Sequence, residues 1–140
     1  MSRRVQIARS MDRQFPIRPG GCSACAGPLP KRRQRWCSNA CAELFERLNS
    51  PFRGRKTRYR EDPHCALCRC DVWVLLMPGE GWLSARDRGS IPLAELDHIV
   101  PLAEGGEHEW SNLRLLCVPC HRSETASLAA RLAARRRSPP

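Results

Sequence analysis

Between Asp97 and His121 the chain reads DHIVPLAEGGEHEWSNLRLLCVPCH. An acidic residue, Asp97, is followed at once by a histidine, His98. Asn112 stands downstream, and the pair Cys117-x2-Cys120 runs directly into a second histidine, His121. Hydrolysis of a phosphodiester needs an activated water, charge stabilisation at phosphorus and help for the departing oxygen. A histidine can take a proton near neutral pH and is worth roughly 10²–10⁴-fold as a general base. A carboxylate with an imidazole can hold a hard cation and leave positions open for water and phosphate oxygens. In this order the residues describe a metal site suited to phosphodiester chemistry.

The stretch is incomplete alone, because two cysteines close only half a zinc clasp. The chain has nine cysteines, and eight fall in short pairs: Cys22/Cys25, Cys37/Cys41, Cys65/Cys68 and Cys117/Cys120. Cys70 is left as a spare thiol. A two-residue gap suits a metal knuckle and strains a direct disulfide. The N-terminal MSRRVQIARS lacks the apolar core of a signal peptide, and no apolar run approaches the roughly 20 residues of a membrane span. The expectation is a cytoplasmic protein without membrane contact, in which paired cysteines bind metal rather than each other.

Net charge is +10, and all but Lys31 and Lys56 of the 24 basic residues are arginine. Guanidinium forks match phosphate geometry, so the expected partner is nucleic acid. Arginine use in place of lysine also fits a GC-rich genome, which leaves the charge imbalance unexplained. At 140 residues with 41% hydrophobic content, the chain has room for one ordinary domain or two small ones. Small domains bury too little apolar surface to be stable without staples.

In chain order, residues 1–20 read as a disordered basic arm, either touching phosphates or merely solvated. Residues 21–50 read as a zinc module closed by Cys22, Cys25, Cys37 and Cys41. Ser38 is a good N-cap, so Cys41 lies in the first turn of a helix continued by Leu44, Phe45 and Leu48. Four thiolates make this zinc structural. The tip Lys31, Arg32, Arg33 and Arg35 is a candidate phosphate clamp, or else a solvated loop. Residues 51–62 form a basic linker in which Arg53, Arg55, Lys56, Arg58 and Arg60 are candidate DNA contacts on a short helix.

Residues 63–136 form the second module, and 137–140 a tail. Val72–Met77 is expected as a strand, IPLAELDHIV as a returning strand with Leu93, Leu96 and Ile99 in the core, and NLRLLC as a short strand or turn. The segment after Cys120 is helical. His64 and His108 lie outside the motif and are expected at the surface. Trp73, Trp82 and Trp110 are expected as core or loop anchors.

The pattern Cys65-x2-Cys68, Asp97-His98-Ile99-Val100-Pro101, Gly105-Gly106, Asn112-Leu113 and Leu116-Cys117-x2-Cys120-His121 resembles the HNH endonucleases in their zinc-stabilised form. The likeness covers roughly residues 60–126. It implies a small α+β fold, a ββα-metal (treble-clef-like) domain preceded by a second small zinc module of four cysteines. It implies His98 as general base, Asn112 as the middle letter of the motif, and Asp97 and His121 as ligands of Mg²⁺ or another divalent cation. Cys65, Cys68, Cys117 and Cys120 would hold a structural zinc. No small-molecule cofactor is implied. The chain departs from the family pattern at Glu124, where a lysine is common, with Arg122 as a substitute phosphate contact. The separation of Cys68 from Asp97 is long, which implies an inserted loop over residues 78–90. The functional expectation is a metal-dependent DNA endonuclease. The alternative is a non-catalytic, zinc-dependent nucleic-acid-binding module.

Overall fold

Each cysteine pair separated by two residues turns the chain back on itself in the computed structural model, which describes residues 1–73 and 93–138. At Cys22 the knuckle is closed by Cys22 N–H donating to the Gly27 carbonyl and Ala26 N–H to the Cys22 carbonyl. Ala26 takes the left-handed conformation this turn demands, with φ 63°. At Cys65 the same bonds run from Cys65 N–H to the Cys70 carbonyl and from Arg69 N–H to the Cys65 carbonyl, with Arg69 at φ 61°.

The chain divides into two compact units, Met1–Thr57 with His98–Leu113, and Arg58–Asp97 with Arg114–Pro140. The expectation of consecutive modules in chain order differs from this division. The loop that follows Asp97 groups with the N-terminal four-cysteine module, because its polar groups find their partners there.

The first unit begins with helix α1, Arg3–Gln14, capped by the Ser2 hydroxyl. This corrects the expected disordered arm. A 12-residue helix this polar is marginal in isolation. Here Met11 and the following Phe15 are buried, and Gln6 donates to the Leu102 carbonyl. Helix α2, Asn39–Asn49, starts on the expected Ser38 cap, whose hydroxyl accepts from Cys41 N–H. Phe15, Trp36 and Phe45 form an aromatic cluster with centroids 5.2–5.9 Å apart, Phe15 meeting the other two rings edge-on. The expected linker is helix α3, Pro51–Glu61.

In the second unit, strands β1, Ala94–His98, and β2, Leu113–Cys117, form a two-stranded sheet, with His98 and Leu113 belonging to the first unit. The bonds beyond its ends, Ile99 N–H to Asn112 O and Val118 N–H to Leu93 O, set an antiparallel register with Asp97 opposite Arg114. Cys65, Val72, Ala94, Leu115, Leu116 and Cys117 make the core, with Tyr59, Cys70 and Cys120 packed against it. Helix α4, Val118–Arg137, has Pro119 in its first turn and Arg135, Arg136 and Arg137 in its last, where the helix dipole favours positive charge. No described helix is long and apolar enough to cross a membrane.

Leu93 and Leu96 are half-buried, but Ile99 is 49% exposed. Its expected core place is taken by His98, because alternation along β1 puts Ala94, Leu96 and His98 on one face. The expected strand over Val72–Met77 falls mostly outside the described residues, as do the inserted loop at 78–90, Trp82 and the start of the returning strand.

Candidate functional site

Two groups of four thiols are assembled, Cys22/Cys25/Cys37/Cys41 and Cys65/Cys68/Cys117/Cys120, each with all ligand atoms within 4.8 Å of one another. Both groups could hold zinc. Among the described residues these are the groups of three or more Cys, His, Asp or Glu side chains with that spacing. Burial opposes ionisation of Cys22, but the amides of Cys25, Cys37 and Ala24 outweigh it and bring the thiol to about 6. Cys65 follows the same pattern, also to about 6. Cys37 and Cys120 are pushed up to about 12, first by their contacts with Cys41 and Cys117 respectively. Four crowded thiols cannot all lose their protons unless a cation takes up the charge, a condition that tetrahedral Zn²⁺ meets. Cys70 stands outside the second group, its Sγ 3.3 Å from that of Cys68.

In the first unit, the loop after β1 is shaped by its glycines and by Asn112. Gly105 closes a 3₁₀ turn, Leu102–Glu104, at φ 92°, a conformation costly for other residues. At Gly106 an added Cβ would lie 1.9 Å from the Val100 carbonyl oxygen, so only glycine fits. Asn112 is 9% exposed, and its amide ties the loop together. Its Oδ1 accepts from Val100 N–H at 2.9 Å, and its Nδ2 donates to the Val100 and Glu107 carbonyls at 3.0 and 2.8 Å.

His98 is 8% exposed in the same unit. Burial first, and then the neighbouring His108 ring and Arg3 guanidinium, push its ring down to about 4, so it is neutral at pH 7. Its Nε2 lies 3.0 Å from His108 Nδ1. This corrects the expectation of a surface His108, which is 6% exposed and bonded through Nε2 to the Leu48 carbonyl. Its polar sequence context, EGGEHEW, concealed this, because the burial comes from α1 and α2. Ser10 donates to Glu107 at 2.6 Å and holds that carboxyl below the usual range, with Arg13 also bonded to it.

In the second unit, the Asp97 Oδ2 accepts from Arg114 at 3.0 Å, and Arg114 also pairs with Glu124 at 2.9 Å. Arg114 was not anticipated. The signal available for it was its place opposite Asp97 in a hairpin register. His121 is half-buried in the first turns of α4, one residue beyond Cys120, and its carbonyl accepts from the Thr125 hydroxyl. Asp97 and His121 thus belong to one unit, and His98 and Asn112 to the other. His64, expected at the surface, is partly exposed between Asp62 and Asp71, at 2.6 and 3.2 Å.

Of the candidate DNA contacts, Lys31, Arg32, Arg33 and Arg35 share one exposed tip. Arg33 bonds the Asn39 side chain at 3.2 Å, and Arg35 stacks 4.7 and 4.8 Å over the rings of Trp36 and Phe45. On α3, Arg53 and Arg60 are exposed, while Arg55, Lys56 and Arg58 are half-buried, Arg58 pairing with Glu61. Arg122 is exposed on α4. Trp110, expected as an anchor, lies 4.4 Å beneath the Arg47 guanidinium.

Comparison with curated proteins gives no match, and neither does comparison with solved structures. Comparison with protein-family models matches residues 84–127 to the family described as HNH endonuclease. The matched segment spans Asp97, His98, Asn112, Cys117, Cys120 and His121, so residues 84–127 are similar to the HNH endonucleases; one four-cysteine cluster includes the Cys117/Cys120 pair of that segment, and another lies in the N-terminal part of the chain.

Proposed function

We propose that the protein is a metal-dependent endonuclease that hydrolyses DNA phosphodiester bonds within a ββα-metal fold. The observation that carries this reading is the match over residues 84–127, which contains the whole Asp-His, Asn and Cys-x2-Cys-His series. His98 acts as general base, since its ring is neutral at pH 7 and a lone pair is present to take a proton. Asn112 holds the loop that follows His98 through its three backbone bonds.

Asp97 and His121 would hold one divalent cation. Their donor set fits a divalent cation, because among the described residues Arg114 engages only Oδ2 of Asp97; the carboxylate oxygen suits Mg²⁺ or Mn²⁺, and the imidazole nitrogen favours a transition ion. When bound, such a cation supplies charge stabilisation at the phosphate and at the leaving oxygen. The exposed cations at Lys31–Arg35, on α3 and at Arg122 contribute affinity for the DNA backbone.

A second reading, a binding module that does not cut, is favoured by one observation: the Asp97 carboxylate is already paired with Arg114. Incubation of supercoiled plasmid with the protein in Mn²⁺ or Mg²⁺, and then in EDTA, separates the two. The nuclease produces nicked or linear DNA only with metal, and His98→Ala slows it roughly 10²–10⁴-fold. Salt-sensitive binding with no product, or full activity in His98→Ala, favours the binder.

A further inference from the structure

The surroundings of His98 contain a chain of hydrogen bonds whose direction is determined at one end. The Leu48 carbonyl can only accept, and it lies 2.9 Å from His108 Nε2, so that nitrogen carries the proton. Among the described residues the two ring partners of His108 are this carbonyl and the ring of His98, neither of them a carboxylate that would hold a second ring proton. A neutral imidazole has a single N–H, so His108 Nδ1 is an acceptor. It lies 3.0 Å from His98 Nε2, which must then be the donor. The lone pair of His98 is left on Nδ1.

We propose that His108 is the positioning residue for His98, and that the N-terminal four-cysteine module acts on the reaction through it by supplying the Leu48 carbonyl that sets the direction of the relay. The proposal deepens the nuclease reading and rests on it for its catalytic meaning. The tautomer assignment stands on the hydrogen bonds alone.

The anchoring around His108 is dense. Its N–H donates to the Ser10 hydroxyl at 3.0 Å, and its carbonyl accepts from Gln14 at 2.8 Å. Both backbone groups are therefore fixed by α1, while the ring is fixed by α2. Leu48 lies in the last turn of α2, where carbonyls lack partners within the helix and carry the negative end of its dipole. Cys41 lies in the first turn of the same helix, about 10 Å along the axis at 1.5 Å per residue. A metal at Cys22, Cys25, Cys37 and Cys41 thus fixes the start of the rod whose far end holds His108. The module then serves as more than a DNA clamp, because it orients the base.

The test uses the full chain with its metals. Long-range ¹⁵N–¹H spectra of the histidine rings should show His98 protonated at Nε2 and bare at Nδ1, and His108 likewise protonated at Nε2. In plasmid cleavage, His108→Leu should lower kcat about tenfold or more, up to the roughly 10²–10⁴-fold that a general base is worth, with KM little changed. His108→Gln should recover most of the rate, because its amide oxygen can accept from His98 while its NH₂ donates to Leu48. A His98 proton on Nδ1 overturns the relay, as does a leucine variant that folds and cuts like the wild type. Should His108→Leu fail to fold, the wild-type spectra and the glutamine variant still decide. A wild type that cuts nothing sinks the nuclease reading, while its ring spectra independently support or overturn the relay.

Discussion

The two four-cysteine clasps share their bonding offset by offset and differ in what their helices deliver. Ser23 N–H donates to the carbonyl of Arg35, two residues before Cys37, and Ala66 N–H donates to that of Leu115, two residues before Cys117. The isolated bridges Gly21 to Pro28 and His64 to Asp71 flank the two knuckles alike. Cys41 and Cys120 each occupy the third position of a helix. The clasps part at the helix start. In the first, Ser38 intervenes as the cap and lengthens the spacing to Cys-x3-Cys, whereas in the second Cys117 is itself the capping residue. α2 then works at its far end, where Leu48 holds His108, while α4 works at its near end, where His121 follows Cys120. One four-cysteine scaffold can therefore place a side chain at either end of its helix, because both ends are fixed once the first turn is pinned.

The largest effect that can break this comparison is loss of a clasp. Cys22 and Cys65 are both fully buried, and a structural zinc contributes on the order of 10 kcal/mol to folding. Cys22→Ser and Cys65→Ser should each reduce metal content from two zincs to one in native mass spectrometry and broaden or lower the thermal transition. If either variant keeps both metals and melts like the wild type, the two clasps are not equivalent. A clasp that only bound DNA would raise KM when lost. The relay through Leu48 requires that kcat fall in Cys22→Ser as well.

A smaller effect tests the loop held by the first unit. Gly106→Ala drives a Cβ into the Val100 carbonyl and should cost about 3 kcal/mol in denaturant unfolding. Gly105→Ala meets no atom within 4 Å but keeps a positive φ, and should cost about 1 kcal/mol. Equal costs at the two positions would mean that the close approach at Gly106 does not shape the loop. The smallest effect belongs to the second unit. The Glu124 side chain is 42% exposed, so Glu124→Ala should change stability by less than about 1 kcal/mol and leave Arg114 on Asp97. A larger loss would make Glu124 part of the site rather than of its surface.

Much of this site was legible along the chain. Asp97, His98, Asn112 and the Cys-x2-Cys-His run lie within 25 residues, and the N-cap at Ser38 places Cys41 without tertiary information. α1 was less legible, since its charged residues read as a solvated arm. The available signal was Ile7, Met11 and Phe15 at four-residue intervals, an apolar stripe that becomes a helix only when it docks.

Cysteine spacing is local geometry, so the sequence by itself determined both pairs of each clasp, the helices they start, and the order of Asp97, His98, Asn112 and His121. Tertiary structure alone decided that Arg114 holds Asp97, and that His108, ten residues from His98 and sixty from Leu48, lies buried between them. Burial depends on what packs against a loop. A polar loop that meets two helices becomes interior, and its histidine must then find a partner for each ring nitrogen.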